Sequence, residues 1–145
     1  IVSRDEDSFA IGRAIELRAP GDVGIITTGV MVARTLKAAD MLAATGVKCG
    51  VLNMHTVKPL DVDKVLEFAG RVRLLVTIEE HTLIGGLGSA VCDVLADRMS
   101  GQQPAIRRLG IPDDFPTEYG SQDSMLETFG LQAPSISDKI REALG

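Results

Sequence analysis

The chain has 145 residues, of which 45% are hydrophobic and 3% aromatic, and its formal net charge is −5. This length fits one domain with a substantial core, and the scarcity of aromatic side chains means that Val, Ile, Leu and Ala must fill it. The acidic balance argues against nucleic-acid binding, and no apolar run approaches the roughly 20 residues of a membrane span. Two cysteines, Cys49 and Cys92, are too few for a disulfide framework, so we expect reduced thiols and a cytoplasmic protein.

The first residues are polar and begin with Ile1 instead of Met. We interpret residues 1–10 as a linker remnant of a longer chain and residues 11–145 as the folded domain. A short strand is predicted over Ala14–Arg18, where the Pro20-Gly21 turn signal follows it.

The first half of the chain then alternates between strand and helix patterns. The apolar run Val23–Gly29 predicts a buried strand, and the helical spacing of Met31–Thr45 predicts a helix closed by Gly46. Val47–Met54 predicts the next strand. Asp61 is the expected N-cap of a second helix that ends at Gly70.

The second half repeats this alternation. Leu74–Glu79 predicts a third apolar strand, a helix begins near Leu87, and Ala105–Ile111 predicts a weaker strand nearer an edge. Two short helices are expected from Ser121 and from about Ser135. Strands separated by single helices are joined by right-handed crossovers, so we predict a three-layer α/β/α sandwich with a mostly parallel sheet of about five strands. The strand order is not readable from the pattern.

Three polar residues, Glu79, Glu80 and His81, end the third apolar strand, at the edge where parallel sheets bind ligands. A carboxylate beside His81 would suit it to acid–base work. Successive strand residues point to opposite faces, however, so only alternate members of the triplet can converge. We favour a polar strand end that makes turn and interface hydrogen bonds over direct catalysis.

Three glycines, Gly85, Gly86 and Gly88, surround the start of the third helix and allow an anion to approach its free N-terminal amides. The dinucleotide fingerprint would need glycine at position 91, where Val91 stands, and no Lys-Ser/Thr pair follows as in a P-loop. We favour a tight turn that needs positive φ, with an anion site as the alternative.

His55 follows the second apolar strand and is expected at the same edge. A metal site would need a third ligand, so a polar edge residue is the favoured interpretation. The loop after the last strand carries three acids, Asp113, Asp114 and Glu118, and two aromatics, Phe115 and Tyr119. Such a loop suits an interface, or its aromatics fold back on the core; both readings stay open.

Three stretches of the chain read "DVGIITTGVMVARTLKAADMLAATGVKCGVLNMHTVKPLD", "LVTIEEHTLIGGLGSAVCDVLAD" and "LGIPDDFPTEYGSQDSMLETFGL". In order and spacing they resemble the C-terminal domain of transketolase, and the likeness covers roughly Phe9 to Leu144. The β subunits of 2-oxo acid dehydrogenases and deoxyxylulose-phosphate synthase share this domain. The dehydrogenase subunits tend to show "EEG" and "LRT", and the synthase tends to show "EEN" and "MRF". At the same places this chain has "EEH" at residues 79–81 and "MHT" at residues 54–56. On those differences the chain most resembles transketolase, particularly the split type with separate polypeptides.

The resemblance implies a parent enzyme that moves a two-carbon ketol unit between sugar phosphates with thiamine diphosphate and magnesium. Its cofactor lies between the pyrimidine- and pyrophosphate-binding domains at a dimer interface. The diphosphate-binding motif and the activating Glu belong to those domains and are absent from this sequence, so no catalytic, cofactor or metal residue transfers. The resemblance implies a supporting domain that packs on the pyrimidine domain, extends the dimer and binds no cofactor alone. An anion- or metabolite-binding regulatory module is the alternative from another class.

Overall fold

The computed structural model describes residues 9–114 and 120–145, which form five strands and five helices. In chain order the elements are β1 Ile15–Arg18, β2 Val23–Thr27, α1 Met31–Ala44, β3 Cys49–Asn53, α2 Val62–Ala69, β4 Leu74–Thr82, α3 Leu87–Arg98, β5 Ala105–Ile111, α4 Gln122–Thr128 and α5 Ala133–Leu144. None of the helices in these ranges is long and apolar enough to cross a membrane.

The strands form one sheet in the order β1-β3-β2-β4-β5. Four strands are parallel, and Val23 pairs with Cys49 on one side and with Leu74 on the other. Strand β1 runs antiparallel to β3, with Ile15 opposite Asn53. The predicted fold class is confirmed, and the structure supplies the strand order.

Helices cover both faces of the sheet, so two hydrophobic cores form. Side chains of α1, α4 and α5 pack on one face with Ile25 and Val76, and side chains of α2 and α3 pack on the other with Ile26 and Leu75. Neighbouring residues of one strand therefore belong to different cores, as strand geometry requires. A single change in strand register would expose both cores to water.

Several element boundaries differ from the sequence prediction by one to three residues, and two of these differences have a clear physical cause. Strand β4 continues three residues beyond Glu79, because Thr82 still pairs with Ile111 of β5. The last helix begins at Ala133, earlier than Ser135, because Pro134 fits a first helical turn, where no intrahelical N–H bond is lost. It has 12 residues and is not short.

Candidate functional site

The carboxyl ends of the parallel strands define the candidate site. Helix α1 leads from β2 to β3, whereas α3 leads from β4 to β5 on the opposite side, so the connections diverge between β2 and β4. Such divergence points are the usual ligand positions of open α/β sheets. We call the residues along this edge the carboxyl rim; they comprise 9–12, 28–30, 54–60 and 81–86.

Glu79 lies at the base of the rim and is fully buried beside α3. Its Oε2 accepts a hydrogen bond from the Leu87 N–H at 2.6 Å, and its Oε1 accepts one from the Gly88 N–H at 2.8 Å. These amides belong to the first turn of α3 and have no intrahelical partner, and the positive end of the helix dipole favours a carboxylate there. The chain's own carboxylate therefore occupies the position where an external anion would bind.

The glycines of this turn meet different requirements. Gly85 has φ +75°, which L side chains rarely adopt. Gly86 needs space instead, since a Cβ there would lie 2.0 Å from Glu79 Oε2. A Cβ on Gly88 would lie 2.7 Å from Thr77 Oγ1, so this glycine lets α3 approach β4 closely. The turn is thus built around Glu79 and the sheet.

His81 and Glu80 project to opposite faces of β4. His81 shares the face of Glu79, with its Nδ1 3.7 Å from Glu79 Oε2, and 57% of its side chain is exposed. Glu80 turns towards α4, where its Oε2 accepts a hydrogen bond from Gln122 Nε2 at 2.6 Å. A Cβ on Gly29 would lie 3.2 Å from Glu80 Oε1, so the carboxylate also borders the turn after β2.

His55 is half-buried at the end of β3 and is arranged differently. Its Nδ1 lies 3.1 Å from Thr56 Oγ1, and the ring of Phe9 packs against it with centroids 5.1 Å apart. Its Nε2 is buried without a hydrogen-bond partner. Within residues 9–114 and 120–145, no group of three His, Cys, Asp or Glu side chains is arranged to hold a metal ion.

The predicted interface loop is described only in part. Asp113 and Asp114 are exposed beyond the end of β5, while Phe115 and Tyr119 lie outside the described residues.

A cleft of about 680 Å³ lies between α1 and the N-terminal ends of α4 and α5. Arg34 lines it and bonds Asp123 of α4 and Gln132 before α5. Because the guanidinium is already paired with a carboxylate, the cleft carries little net positive charge for an anionic ligand. It lies on the face of the sheet that α1, α4 and α5 cover, and Arg34 also donates to the Val30 carbonyl of the rim at 3.5 Å.

Sequence reasoning missed three features of this edge. The first is the role of Glu79 as an internal cap of α3, for which its eight-residue distance to Leu87 was the available signal. The second is a set of exposed apolar side chains, namely Phe9, Ile11, Val30, Val57 and Ile84, which scattered positions in the sequence do not reveal. Asn53, whose buried Oδ1 has no hydrogen-bond partner, was also not anticipated.

The arrangement offers binding surface more readily than chemistry. In the part of the chain that the structure describes, the rim pairs a hydroxyl with an imidazole at the neighbours Thr56 and His55, and Glu79 engages the Leu87 and Gly88 amides of α3. These residues do not fit a thiamine diphosphate and magnesium site, since Glu79 already takes the helix amides that would hold a diphosphate and the described residues bring together no group of three His, Cys, Asp or Glu side chains for a metal ion.

The fold and rim define a three-layer α/β domain with a five-stranded, mostly parallel sheet. The chain belongs to the transketolase C-terminal domain family, because the profile described as "Transketolase, C-terminal domain" matches residues 12–136.

Two relatives are similar to this chain over most of its length. The chain is 43% identical to a 6-deoxy-6-sulfo-D-fructose transketolase subunit of Clostridium sp. (strain MSTE9), over 93% of this chain and 41% of that protein. It is 40% identical to a 1-deoxy-D-xylulose-5-phosphate synthase of Heliobacterium modesticaldum, over 97% of this chain and 22% of that protein. The chain therefore spans less than half the length of these relatives.

A solved structure is also similar. The structure described as a split gene transketolase, inactive beta4 tetramer, superposes with a TM-score of 0.87 at 35% identity. The match covers 99% of this chain and 46% of that one.

Proposed function

We propose that this chain is the C-terminal supporting domain of a thiamine-diphosphate-dependent transketolase. The parent enzyme transfers a two-carbon ketol unit between sugar phosphates in the cytoplasm and uses magnesium with its cofactor. The domain contributes no catalytic residue. It assembles with the pyrimidine- and pyrophosphate-binding domains and extends a homodimer contact, and residues 1–10 connect it to them.

One observation carries this proposal: family membership extends over nearly the whole chain, yet the chain spans 41% of the transketolase-subunit relative. The site geometry supports it, because the carboxylate nearest the glycine turn is used to cap α3. A relative described as a split-gene transketolase supports a parent made of separate polypeptides.

Calorimetry tests whether the cofactor binds to the parent enzyme but not to this domain alone. Titration of thiamine diphosphate and magnesium into the 145-residue chain should give no binding heat, whereas the whole parent enzyme should bind both. Micromolar binding by the 145-residue chain would contradict the supporting role. A parent that binds neither ligand would refute the assignment to a thiamine-dependent enzyme.

A deoxyxylulose-phosphate synthase parent is the second candidate, favoured by 40% identity over 97% of the chain. A 2-oxo acid dehydrogenase β subunit is a further candidate from the same resemblance. Two assays of the parent enzyme separate a transketolase from the synthase. One measures ketol transfer with sugar phosphates and 6-deoxy-6-sulfo-D-fructose as donors, and the other measures formation of 1-deoxy-D-xylulose 5-phosphate. We expect ketol transfer and no 1-deoxy-D-xylulose 5-phosphate.

A further inference from the structure

Exposed apolar side chains concentrate at the carboxyl rim. Within the described residues, six large hydrophobic side chains are exposed, and five of them belong to the rim: Phe9, Ile11, Val30, Val57 and Ile84. Ile11 is 85% exposed and Ile84 62% exposed. The sixth, Met41, lies on α1 away from the rim. Apolar side chains gathered at one edge mark an interaction surface, whereas single exposed ones need no explanation.

The same surface carries little charge. Lys58 is the one permanently charged residue in the rim sequence, which also contains the two histidines His55 and His81. The two carboxylates of β4 are turned away, since Glu79 is buried against α3 and Glu80 is bonded to Gln122. An uncharged partner surface suits this edge, because a charged one would be desolvated without compensation.

The rim segment that carries Ile84 is held in place before any partner arrives. Ser89 Oγ accepts a hydrogen bond from the Gly85 N–H and donates one to the Leu83 carbonyl, both at 3.0 Å. Arg108 Nη1 donates to the same carbonyl at 3.0 Å. A side chain on a braced turn loses little conformational entropy on binding, so it can anchor an interface.

The entering chain reaches the domain at this edge as well. The Phe9 ring packs against His55 at the end of β3, and β1 then runs antiparallel from the same edge. The chain spans 41% of the length of the transketolase-subunit relative. In a protein that carries this domain at its C-terminal end, the remaining sequence precedes the domain. That sequence would enter beside the rim.

We propose that the carboxyl rim is the docking surface for the cofactor-binding portion of the same enzyme, which presents it with an uncharged, mainly apolar protein face. This inference rests on the proposed function and adds to it the surface and the anchoring side chains. Val30, Val57 and Ile84 pack into that face from the turns after three adjacent strands. His81 lies among them with its Nδ1 side towards Glu79 and provides a polar contact.

The experiment uses the whole parent enzyme, with both polypeptides if it is split, and the variants Val30→Asp and Ile84→Asp. Met41→Asp is the matched control, because Met41 and Val30 are both 41% exposed. Sedimentation velocity measures assembly, and thiamine diphosphate affinity and ketol transfer are measured on the same preparations. Circular dichroism establishes that each variant is folded, and Val57→Ser is a milder rim variant.

The rim variants should weaken assembly or lower activity by at least about tenfold, which corresponds to about 1.4 kcal/mol of interface free energy, and the control should match the wild type. Rim variants that assemble and react like Met41→Asp would overturn the proposal. Sedimentation measures assembly without any substrate, so the two proposals can fail separately. A wild-type parent that assembles through the rim but shows no ketol transfer would refute the proposed function. The rim would still be the docking surface.

A thiol cross-link at Ile84→Cys identifies the occupant. A product joining residue 84 to the cofactor-binding portion supports the proposal. A product joining two copies of residue 84 would assign the rim to a second copy of this chain and overturn it.

Discussion

The carboxylate of Glu79 accepts a hydrogen bond from the backbone N–H of Leu87 at 2.6 Å, which ties the buried end of β4 to the first turn of α3. This contact places a fixed negative charge at the helix N-terminus, where an exogenous phosphate would otherwise bind. The glycine turn between the two residues is consequently a structural element that displays the rim.

Glu79→Gln tests this cap. The amide keeps one acceptor but directs an NH2 group at a backbone N–H, so a buried donor is left unpaired. We expect the free energy of unfolding to fall by about 2–4 kcal/mol, since hydrogen bonds to charged groups are worth roughly 1.5–3 kcal/mol and an unpaired group adds to the loss. Urea denaturation of the 145-residue chain measures it.

Glu80→Gln is the matched control because it changes the neighbouring carboxylate in the same way. Glu80 is half-buried and contacts Gln122, so its loss should cost less than about 1 kcal/mol. Equal destabilisation by the two variants would contradict the role assigned to Glu79.

Gly86→Ala tests the space around this carboxylate. A Cβ at position 86 would lie 2.0 Å from Glu79 Oε2 and 2.8 Å from the Thr82 carbonyl oxygen. Either the cap breaks or the turn shifts, and we expect a loss of about 2–3 kcal/mol, as for overpacked cores. Gly70→Ala is the control, because its nearest contact would be 3.4 Å and its φ is −67°. Equal decreases in the thermal unfolding temperature for the two variants would count against the steric argument.

Patterns close in sequence predicted most of the fold. The alternation of Ile25 and Ile26 between two cores follows from strand geometry, and the cap at Asp61 follows from residue type and position. The strand order could not be predicted in this way, because every parallel order is compatible with the same crossovers. It depends on which strands meet in three dimensions.

The site was less predictable because its contacts connect distant positions. The bond of Gln122 to Glu80 spans 42 residues, and neither residue type indicates the other. The face taken by each member of the triplet did follow from alternation, and Glu79 and His81 share a face as that rule requires. The capping of α3 by Glu79 could not be predicted, because it depends on how deeply this carboxylate is buried, and the sequence does not give that.

Asp61→Ala tests a second buried cap. Asp61 Oδ1 accepts from the Lys64 N–H at 3.3 Å, as an N-cap does, and Oδ2 accepts from the Ala14 N–H at 2.9 Å. One carboxylate thus joins the start of α2 to the entry of β1. We expect a loss of about 2–3 kcal/mol, more than the roughly 1 kcal/mol of an ordinary cap.

Asp63→Ala is the companion variant, because Asp63 also lies in the first turn of α2 but does not cap it. It should cost less than about 1 kcal/mol. Amide hydrogen exchange should show faster opening of residues 14–18 in Asp61→Ala alone. Unchanged exchange there would contradict the link between β1 and α2.

The two thiols should differ in reactivity, and the difference should appear in the pH dependence of stability. Burial raises the pKa of Cys49 to about 11, and the nearby Arg18 offsets this only in part. Since the thiolate is the nucleophile, Cys49 should react with iodoacetamide at pH 8 only as fast as the chain opens. Cys92 is half-buried on α3 and should react sooner.

The sign of the pH effect follows from proton binding. The folded state holds the Cys49 proton more tightly than the unfolded state, whose thiol has the ordinary pKa of 9.0. The contribution of this thiol to stability is therefore complete below about pH 9 and is lost as the pH rises towards 11. Urea unfolding at pH 7.5 and pH 10 should show a smaller decrease for Cys49→Ala than for Cys92→Ala. Equal decreases, or rapid labelling of Cys49 in the folded chain, would refute the assignment of a buried, protonated thiol.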